Sequence, residues 1–296
     1  MSQFSKIGIV SKPDDQHIAS TVQSLYQYLS DRSLDIYTDA VSAKLINKAA
    51  AKPNSPEEIA KNSNLVIVIG GDGTILHASH SLIQKNIPLL GINLGQLGFL
   101  AEINPTEIEK QLGQILAGHY REEKRFVLQA SLVRNGKTIN TSYAVNDVVV
   151  HAMQMVRMIE IETRVNQQHL NTLRADGYIV ATPTGSTAYS LSGGGPILHP
   201  NINAIVLVPI CPHTLSNRPI VIDADSEVEI LLPKQNRHTA LASIDGQINM
   251  DFMPGDTLKI QKAQCVLRLI QPKNYDYFDV LREKLRWSTQ PNNTRS

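Results

Sequence analysis

The stretch Leu65-Val-Ile-Val-Ile69 runs straight into Gly70-Gly71-Asp72-Gly73-Thr74, and this junction constrains the fold more than any other part of the chain. Five successive β-prone residues without polar alternation predict a strand covered on both faces, as in a parallel sheet. Beyond the glycines, Ile75, Leu76, Ala78, Leu82 and Ile83 recur at helical spacing. The pattern repeats nearby. Residues 6–10 are a short apolar strand ending in Ser-Lys-Pro, and Ile18, Val22, Leu25 and Leu29 mark a helix face. Residues 88–92 read as another strand and 105–116 as a helix, with Pro105 suited to its first turn. Repeated strand–helix units predict a doubly wound α/β domain.

From about residue 124 the period changes to two. Phe126, Leu128, Ala130 and Leu132 alternate with Val127, Gln129, Ser131 and Val133, and Asn135-Gly136 supplies a strong hairpin-turn signal. The return strand is read over 138–150. Further strands are predicted at 159–164, 178–181, 205–208, 228–232, 241–244, 258–260 and 266–270, then a final helix over 277–285. This half is mainly β, a sandwich or an irregular pair of sheets. The predicted division is 1–122 as an α/β nucleotide- and phosphate-binding domain, with 275–296 packing back on it, and 123–274 as a β-rich domain.

Composition narrows the function. Lys plus Arg number 28 against 27 Asp plus Glu, a net charge of +1, so binding to a nucleic-acid backbone is not favoured. No apolar run reaches membrane-spanning length, and no export signal is read at the N-terminus, so a cytoplasmic protein is expected. The two cysteines, Cys211 and Cys265, lack basic neighbours in sequence and are expected to be buried thiols in a reducing compartment. His77 and His80 are spaced i,i+3 but have no evident third metal ligand.

Glycines at a strand-to-helix turn let a ligand approach the backbone, and the helix N-terminus favours phosphate. The loop matches neither the dinucleotide fingerprint nor the P-loop. Asp72 in its middle is the unusual element, because a carboxylate repels phosphate unless a metal intervenes or it serves as base to a hydroxyl. The alternative is a tight turn in which Asp72 caps the helix. A second candidate is residues 182–196, dense in hydroxyls and glycines and without charge, a source of neutral donors for a ligand or else a surface loop. The third is Asn146-Asp147, a polar pair inside an apolar strand pattern. It binds ligand hydroxyls or marks a bulge or turn.

Together these segments resemble the NAD kinase family. Gly70-Gly71-Asp72-Gly73-Thr74 is similar to its signature loop, shared more loosely with diacylglycerol and sphingosine kinases and 6-phosphofructokinases. Gly91-Ile-Asn-Leu-Gly-Gln-Leu-Gly-Phe-Leu100, Asn146-Asp147, Asp176-Gly177, the run from Thr182 to Ser192 with Gly194-Gly-Pro196, the run from Pro212 to Pro219, and Asp245-Gly-Gln247 match in order. Gly193 departs from an alanine common in the family. The resemblance implies a Rossmann-like N-terminal domain and a mainly β C-terminal domain, with NAD bound between them, usually in a homo-oligomer, a dimer or tetramer. It implies transfer of the γ-phosphoryl group of ATP to the 2′-hydroxyl of the adenosine ribose, with a divalent cation, Mg²⁺, on the donor phosphates. It makes Asp72 the base and Gly73 a close backbone contact. Asn146 and Asp147 would bind ribose hydroxyls. Thr187, Ala188, Tyr189, Ser190, Leu191 and Ser192 would line the adenine and ribose site, with Arg157, Arg174, Asp176 and Gln247 as further dinucleotide contacts. A lipid or sugar kinase would leave Asn146-Asp147 and 182–196 unexplained, and a non-catalytic nucleotide sensor would leave Asp72 unexplained.

Overall fold

The computed structural model describes residues 4–12, 18–94, 98–101, 103–153, 158–214, 216–236 and 238–287. It forms two compact units, one running to Lys124 and resuming at Leu267, the other comprising Arg125–Val266.

The first unit contains β1 (Lys6–Ser11), α1 (Ala19–Ser30), β2 (Asp35–Thr38), α2 (Ala40–Ile46), α3 (Pro56–Asn62), β3 (Leu65–Ile69), α4 (Asp72–Leu82), β4 (Leu89–Ile92) and α5 (Ile108–Leu116). Strands run in the order β2-β1-β3-β4, all parallel. Alternation along them splits the side chains between two faces. Ile7, Ile9, Leu65, Ile67 and Ile69 share a core with Val22, Leu25 and Leu29 of α1 and Ile108, Leu112 and Ile115 of α5. On the opposite face, α3 and α4 approach so closely that a Cβ at Gly8 would lie 2.7 Å from Ile59, and one at Gly91 would lie 2.6 Å from Ile75. Coverage of both faces explains why β3 has no polar residue. Helix α3 was not anticipated, although its start is explicit: Ser55 and Glu58 form a reciprocal capping box and Pro56 opens the first turn.

The second unit uses two sheets. Its elements are β5 (Tyr120–Arg134), which starts in the first unit, then β6 (Lys137–Ala144), β7 (Asp147–Ala152), β8 (Ile159–Val165), β9 (Gln168–Ala175), β10 (Gly177–Ala181), α6 (Tyr189–Ser192), β11 (Ala204–Ile210), β12 (Ile220–Asp223), β13 (Val228–Leu231), β14 (Ala240–Ile244), β15 (Ile248–Phe252) and β16 (Thr257–Pro272). Three hairpins turn on pairs with positive φ: Asn135-Gly136, Asn166-Gln167 and Asp245-Gly246. One sheet is antiparallel in the order β12-β11-β10-β7-β14-β15. Its inner face shares a core with Leu128, Ile161, Ile230 and Leu258 from the other strands.

Two strand readings need correction. The return strand expected over 138–150 is interrupted at Val145-Asn146 and becomes β6 and β7. The separate strands expected at 258–260 and 266–270 are one strand, β16, whose final residues pair in parallel with β4 at Leu269 and Leu89. The chain then ends its described part in α7 (Tyr277–Leu285), N-capped by Asp276 and folded with the first unit. Among the described residues no helix is long and apolar enough to cross a membrane.

Candidate active site

In the first unit, β3 delivers the chain to the glycine loop and α4 begins at Asp72, with no side chain capping its N-terminus. The Asp72 carboxylate does not cap this helix. It accepts backbone N–H groups from across the loop instead: Phe99 N donates to Oδ2 at 2.9 Å, while Leu100 N and Ala101 N donate to Oδ1 at 3.0 and 3.3 Å. This excludes the capping alternative. Gly98 makes room for the arrangement, since a Cβ there would stand 2.2 Å from Oδ1 of Asp72. Each carboxylate oxygen has two acceptor positions. Oδ1 is filled by the two N–H groups, and among the described residues Oδ2 keeps one position. A Cβ at Gly71 or Gly73 would meet nothing within 4 Å. Packing inside the unit therefore does not require these two glycines, whereas Gly70 would collide with Thr74. Residues 95–97 of the matched glycine and asparagine segment lie outside the described residues.

In the second unit, strand periodicity presents the other carboxylate. Val148 and Val150 of β7 point into the core shared by the two sheets, and Val149 points to the opposite face with Ile179 and Val206. Asp147 and His151 share the Val149 face. There they line a cleft of about 780 Å³ together with Asn146, Asp176, Ala188, Tyr189, Cys211, Ser243 and Asp245. Asp147 is buried, and no hydrogen bond reaches its carboxylate from the described residues. Burial, then the neighbouring Asp245, pushes its pKa up to about 7. Asp245 in turn accepts three consecutive backbone N–H groups, from Val145 at 2.9 Å, Asn146 at 2.8 Å and Asp147 at 3.1 Å. The break between β6 and β7 is thus organised by a turn about a hundred residues away.

The segment 182–196 is a built wall, and three of its seven hydroxyls serve the wall. Thr182 Oγ1 donates to Val145 O at 2.6 Å and accepts Gly185 N at 3.1 Å. Ser186 Oγ donates to Pro183 O at 2.6 Å and accepts Leu198 N at 2.9 Å, and Thr187 Oγ1 donates to Thr184 O at 3.1 Å. Those three hydroxyls are committed to the wall, which narrows the expected neutral donors to the rest of the run. Ser190 Oγ is buried without a partner among the described residues. Gly185 is required because a Cβ would lie 2.0 Å from the Asn146 carbonyl oxygen. That close approach binds the wall to the polar pair.

Of the dinucleotide contacts expected from sequence, Asn146, Asp147, Asp176, Ala188 and Tyr189 line the cleft. Thr187, Ser190, Leu191 and Ser192 belong to the adjoining turn and α6, Arg174 is exposed on β9, and Gln247 is exposed on the β14–β15 turn. Arg157 lies outside the described residues. The sequence reading did not single out His151 or Ser243, and it named Asp245 only within the matched Asp245-Gly-Gln247 segment, without a role. Cys211 is a correction: it is exposed, adopts φ of 45° after β11 and lines the cleft. Cys265 is half-buried rather than buried, and desolvation raises its thiol pKa. Among the described residues, no group of three His, Cys, Asp or Glu side chains stands together as a metal site.

Comparison with known proteins bears on both units. Residues 7–120 match the model of the ATP-NAD kinase N-terminal domain, and residues 145–271 that of the C-terminal domain. The chain is 46% identical to the NAD kinase of Nitrosococcus oceani over 284 residues, covering 96% of this chain and 97% of the relative. It is 46% identical to that of Methylococcus capsulatus over 289 residues, covering 98% and 99%. Among solved structures, the yeast NADH kinase in complex with NADH superposes with a TM-score of 0.87 at 25% identity, covering 98% of this chain and 90% of that one. An NAD kinase of Archaeoglobus fulgidus in complex with ATP gives 0.76 at 26% identity, covering 95% and 98%. With both domain models matched and such identity along nearly its whole length, the chain belongs to the NAD kinase family, the enzymes that phosphorylate NAD with ATP.

Proposed function

We propose that the γ-phosphoryl group of ATP is transferred to the 2′-hydroxyl of the adenosine ribose of NAD, giving NADP and ADP. The bond from the γ-phosphorus to the ADP oxygen breaks as the bond to the 2′-oxygen forms, and the hydroxyl proton goes to Oδ2 of Asp72. The observation that carries this reading is the single acceptor position left on Oδ2 of a carboxylate fixed by three backbone N–H groups. Such a group is oriented before the substrate arrives, which is what a positioned base needs. The open space above Gly71 and Gly73 lets phosphates approach the backbone.

Asn146 and Asp147 hold ribose hydroxyls, because a buried carboxylate with no donor of its own is completed by substrate O–H groups. Asp176, Ala188 and Tyr189 line the same cleft and contact the dinucleotide. Gly73, Arg157, Arg174, Thr187, Ser190, Leu191, Ser192 and Gln247 follow from the family resemblance as further contacts. A divalent cation, Mg²⁺, carried on the donor phosphates supplies neutralisation of the charge that develops during transfer. The scarcity of clustered acidic ligands among the described residues suits a cation held mainly by phosphate. The family resemblance supports a homo-oligomer, a dimer or tetramer. A cytoplasmic location fits the use of ATP and NAD.

The test is incubation with ATP, Mg²⁺ and NAD, with the product read by an NADP-specific dehydrogenase and the donor varied across nucleoside triphosphates and inorganic polyphosphate. Chelation with EDTA should abolish turnover, and Mg²⁺ or Mn²⁺ should restore it. A phosphorylated product inert to that dehydrogenase overturns the 2′ assignment, and full turnover in metal-free buffer overturns the role of the cation.

A further inference from the structure

We infer that Asp245 is a positioning residue for NAD, holding the backbone of residues 145–147 so that Asn146 and Asp147 meet the ribose in a fixed orientation. The inference rests on the assignment of those two residues to the ribose. One carboxylate accepts three consecutive N–H groups at 2.8–3.1 Å, and Asp245 N donates back to Asp147 O at 3.0 Å. Val145 and Asn146 lie between β6 and β7 and Asp147 opens β7, so the three N–H groups span the break between the strands, where ladder pairing does not hold the backbone of Val145 and Asn146. Asp245 itself sits at φ of 52° in the hairpin turn between β14 and β15, closed by Gln247 N to Ile244 O at 2.9 Å. The turn does not need a carboxylate: asparagine adopts this conformation as readily.

A buried carboxylate beside a second buried carboxylate is costly. The three N–H donors offset that cost for Asp245, and nothing within the described residues offsets it for Asp147. The groups facing Asp147 around the cleft are Asp245 from the β14–β15 turn, His151 from β7 itself, Asp176 between β9 and β10, Tyr189 from α6 and Cys211 after β11. Among the described residues no lysine or arginine lines the cleft. Asp245 therefore has two effects on one residue. It fixes where the Asp147 side chain starts, and its charge holds the Asp147 proton to higher pH.

The two effects separate in the full-length enzyme. Asp245→Asn keeps the size, but its amide nitrogen faces one of the three N–H donors and its charge is gone. The KM for NAD should rise about tenfold or more, the loss of at least one charge-assisted hydrogen bond, with kcat changing much less. The acid limb of kcat/KM for NAD should move to lower pH. Asp245→Glu keeps the charge and displaces it by one methylene, so KM should rise while the limb stays in place. Asp147→Asn, measured alongside, reports on the underlying ribose reading. A normal KM in both Asp245 variants with an impaired Asp147→Asn overturns the positioning role alone. A normal KM in all three overturns the ribose reading with it. A raised KM in Asp245→Asn with an unmoved limb marks general damage and also overturns the inference. Amide hydrogen exchange at 145–147, expected to quicken in both Asp245 variants, gives a readout that does not depend on turnover, and unchanged exchange counts against the role.

Discussion

Asp72 and Asp147 are both half of a proposed contact with the same sugar, yet their surroundings are opposite. Asp72 is half-buried and receives three backbone N–H groups from residues 99–101. Asp147 is buried, receives none among the described residues, and faces a second carboxylate. The contrast shows how one residue type is fitted to two tasks. A group that takes a proton during reaction must be held still before the substrate arrives, and backbone donors do that without a competing charge. A group that binds hydroxyls gains most when its acceptor positions stay empty until the ligand fills them.

The sharpest way to break this contrast is to remove basicity at Asp72 while preserving shape. Asp72→Asn should lower kcat by roughly 10²–10⁴-fold, the usual loss for a positioned base, while NAD affinity by calorimetry stays near normal. Near-normal kcat would reduce the loop to a phosphate-shaping element. Gly98→Ala should act in the same direction while leaving residue 72 an aspartate, because its methyl group would stand 2.2 Å from Oδ1 and displace the carboxylate. If Gly98→Ala instead leaves kcat intact, the fixed orientation of Asp72 is not what the reaction uses.

At Asp147 the expected signature is in KM. At pH 8, where the carboxylate is ionised, Asp147→Ala should raise the KM for NAD by roughly 10- to 150-fold, the cost of 1.5–3 kcal/mol in hydrogen bonds to a charged group. In the wild-type enzyme the same KM should fall as pH rises through about 7, since hydroxyl donors favour the ionised form. Binding near pH 7 should release protons, visible as a dependence of calorimetric heat on buffer ionisation enthalpy. Stability carries the opposite sign. The unfolded chain ionises Asp147 near pH 4 and the folded chain near 7, so between these values the folded state binds more protons. Its stability therefore declines from this source as pH rises through that window, and the penalty is complete above pH 7. Asp147→Asn should lack that decline, so its melting temperature should gain on wild type between pH 5 and pH 8. Parallel curves for the two proteins would mean that Asp147 is not held protonated.

The same contrast explains what could be read from sequence. Local signals carried the glycine loop: the unbroken apolar β3 and the helical spacing after Gly73 are properties of adjacent residues, and burial on both faces makes them unambiguous. The Asn135-Gly136 hairpin and α7 were legible for the same reason. Strand β9 was not, because its residues from Gln168 to Arg174 are largely polar and exposed at a sheet edge, and its turn, Asn166-Gln167, reaches positive φ without glycine. Strand β12, another edge, was missed although Ile220, Val221 and Ile222 are β-branched, because it is only four residues long. Which of the 182–196 hydroxyls are free was not legible because sequence shows donors but not their partners: Thr182 is satisfied by Val145 and Ser186 by Leu198. Asp245 was legible as part of the matched Asp245-Gly-Gln247 segment, but its role was not. Its three hydrogen bonds span 98 to 100 residues, and no local spacing encodes them.

The smallest effect is expected at Tyr189, and it sharpens the contrast by showing where the nucleoside lies. The ring lines the same cleft as Asp147 and remains 48% exposed, a large aromatic surface left uncovered. An aromatic ring so placed packs against a base or ribose at about 0.5–1.5 kcal/mol beyond area burial. Tyr189→Ala should therefore raise the KM for NAD by roughly 2- to 12-fold and leave that for ATP nearly unchanged. Tyr189→Phe should retain most of the affinity, because the contact is through the ring face and not the hydroxyl. Equal losses for NAD and ATP would show that Tyr189 supports the wall and not the substrate. A loss confined to ATP would place the donor nucleotide in this cleft and exchange the roles assigned to the two units.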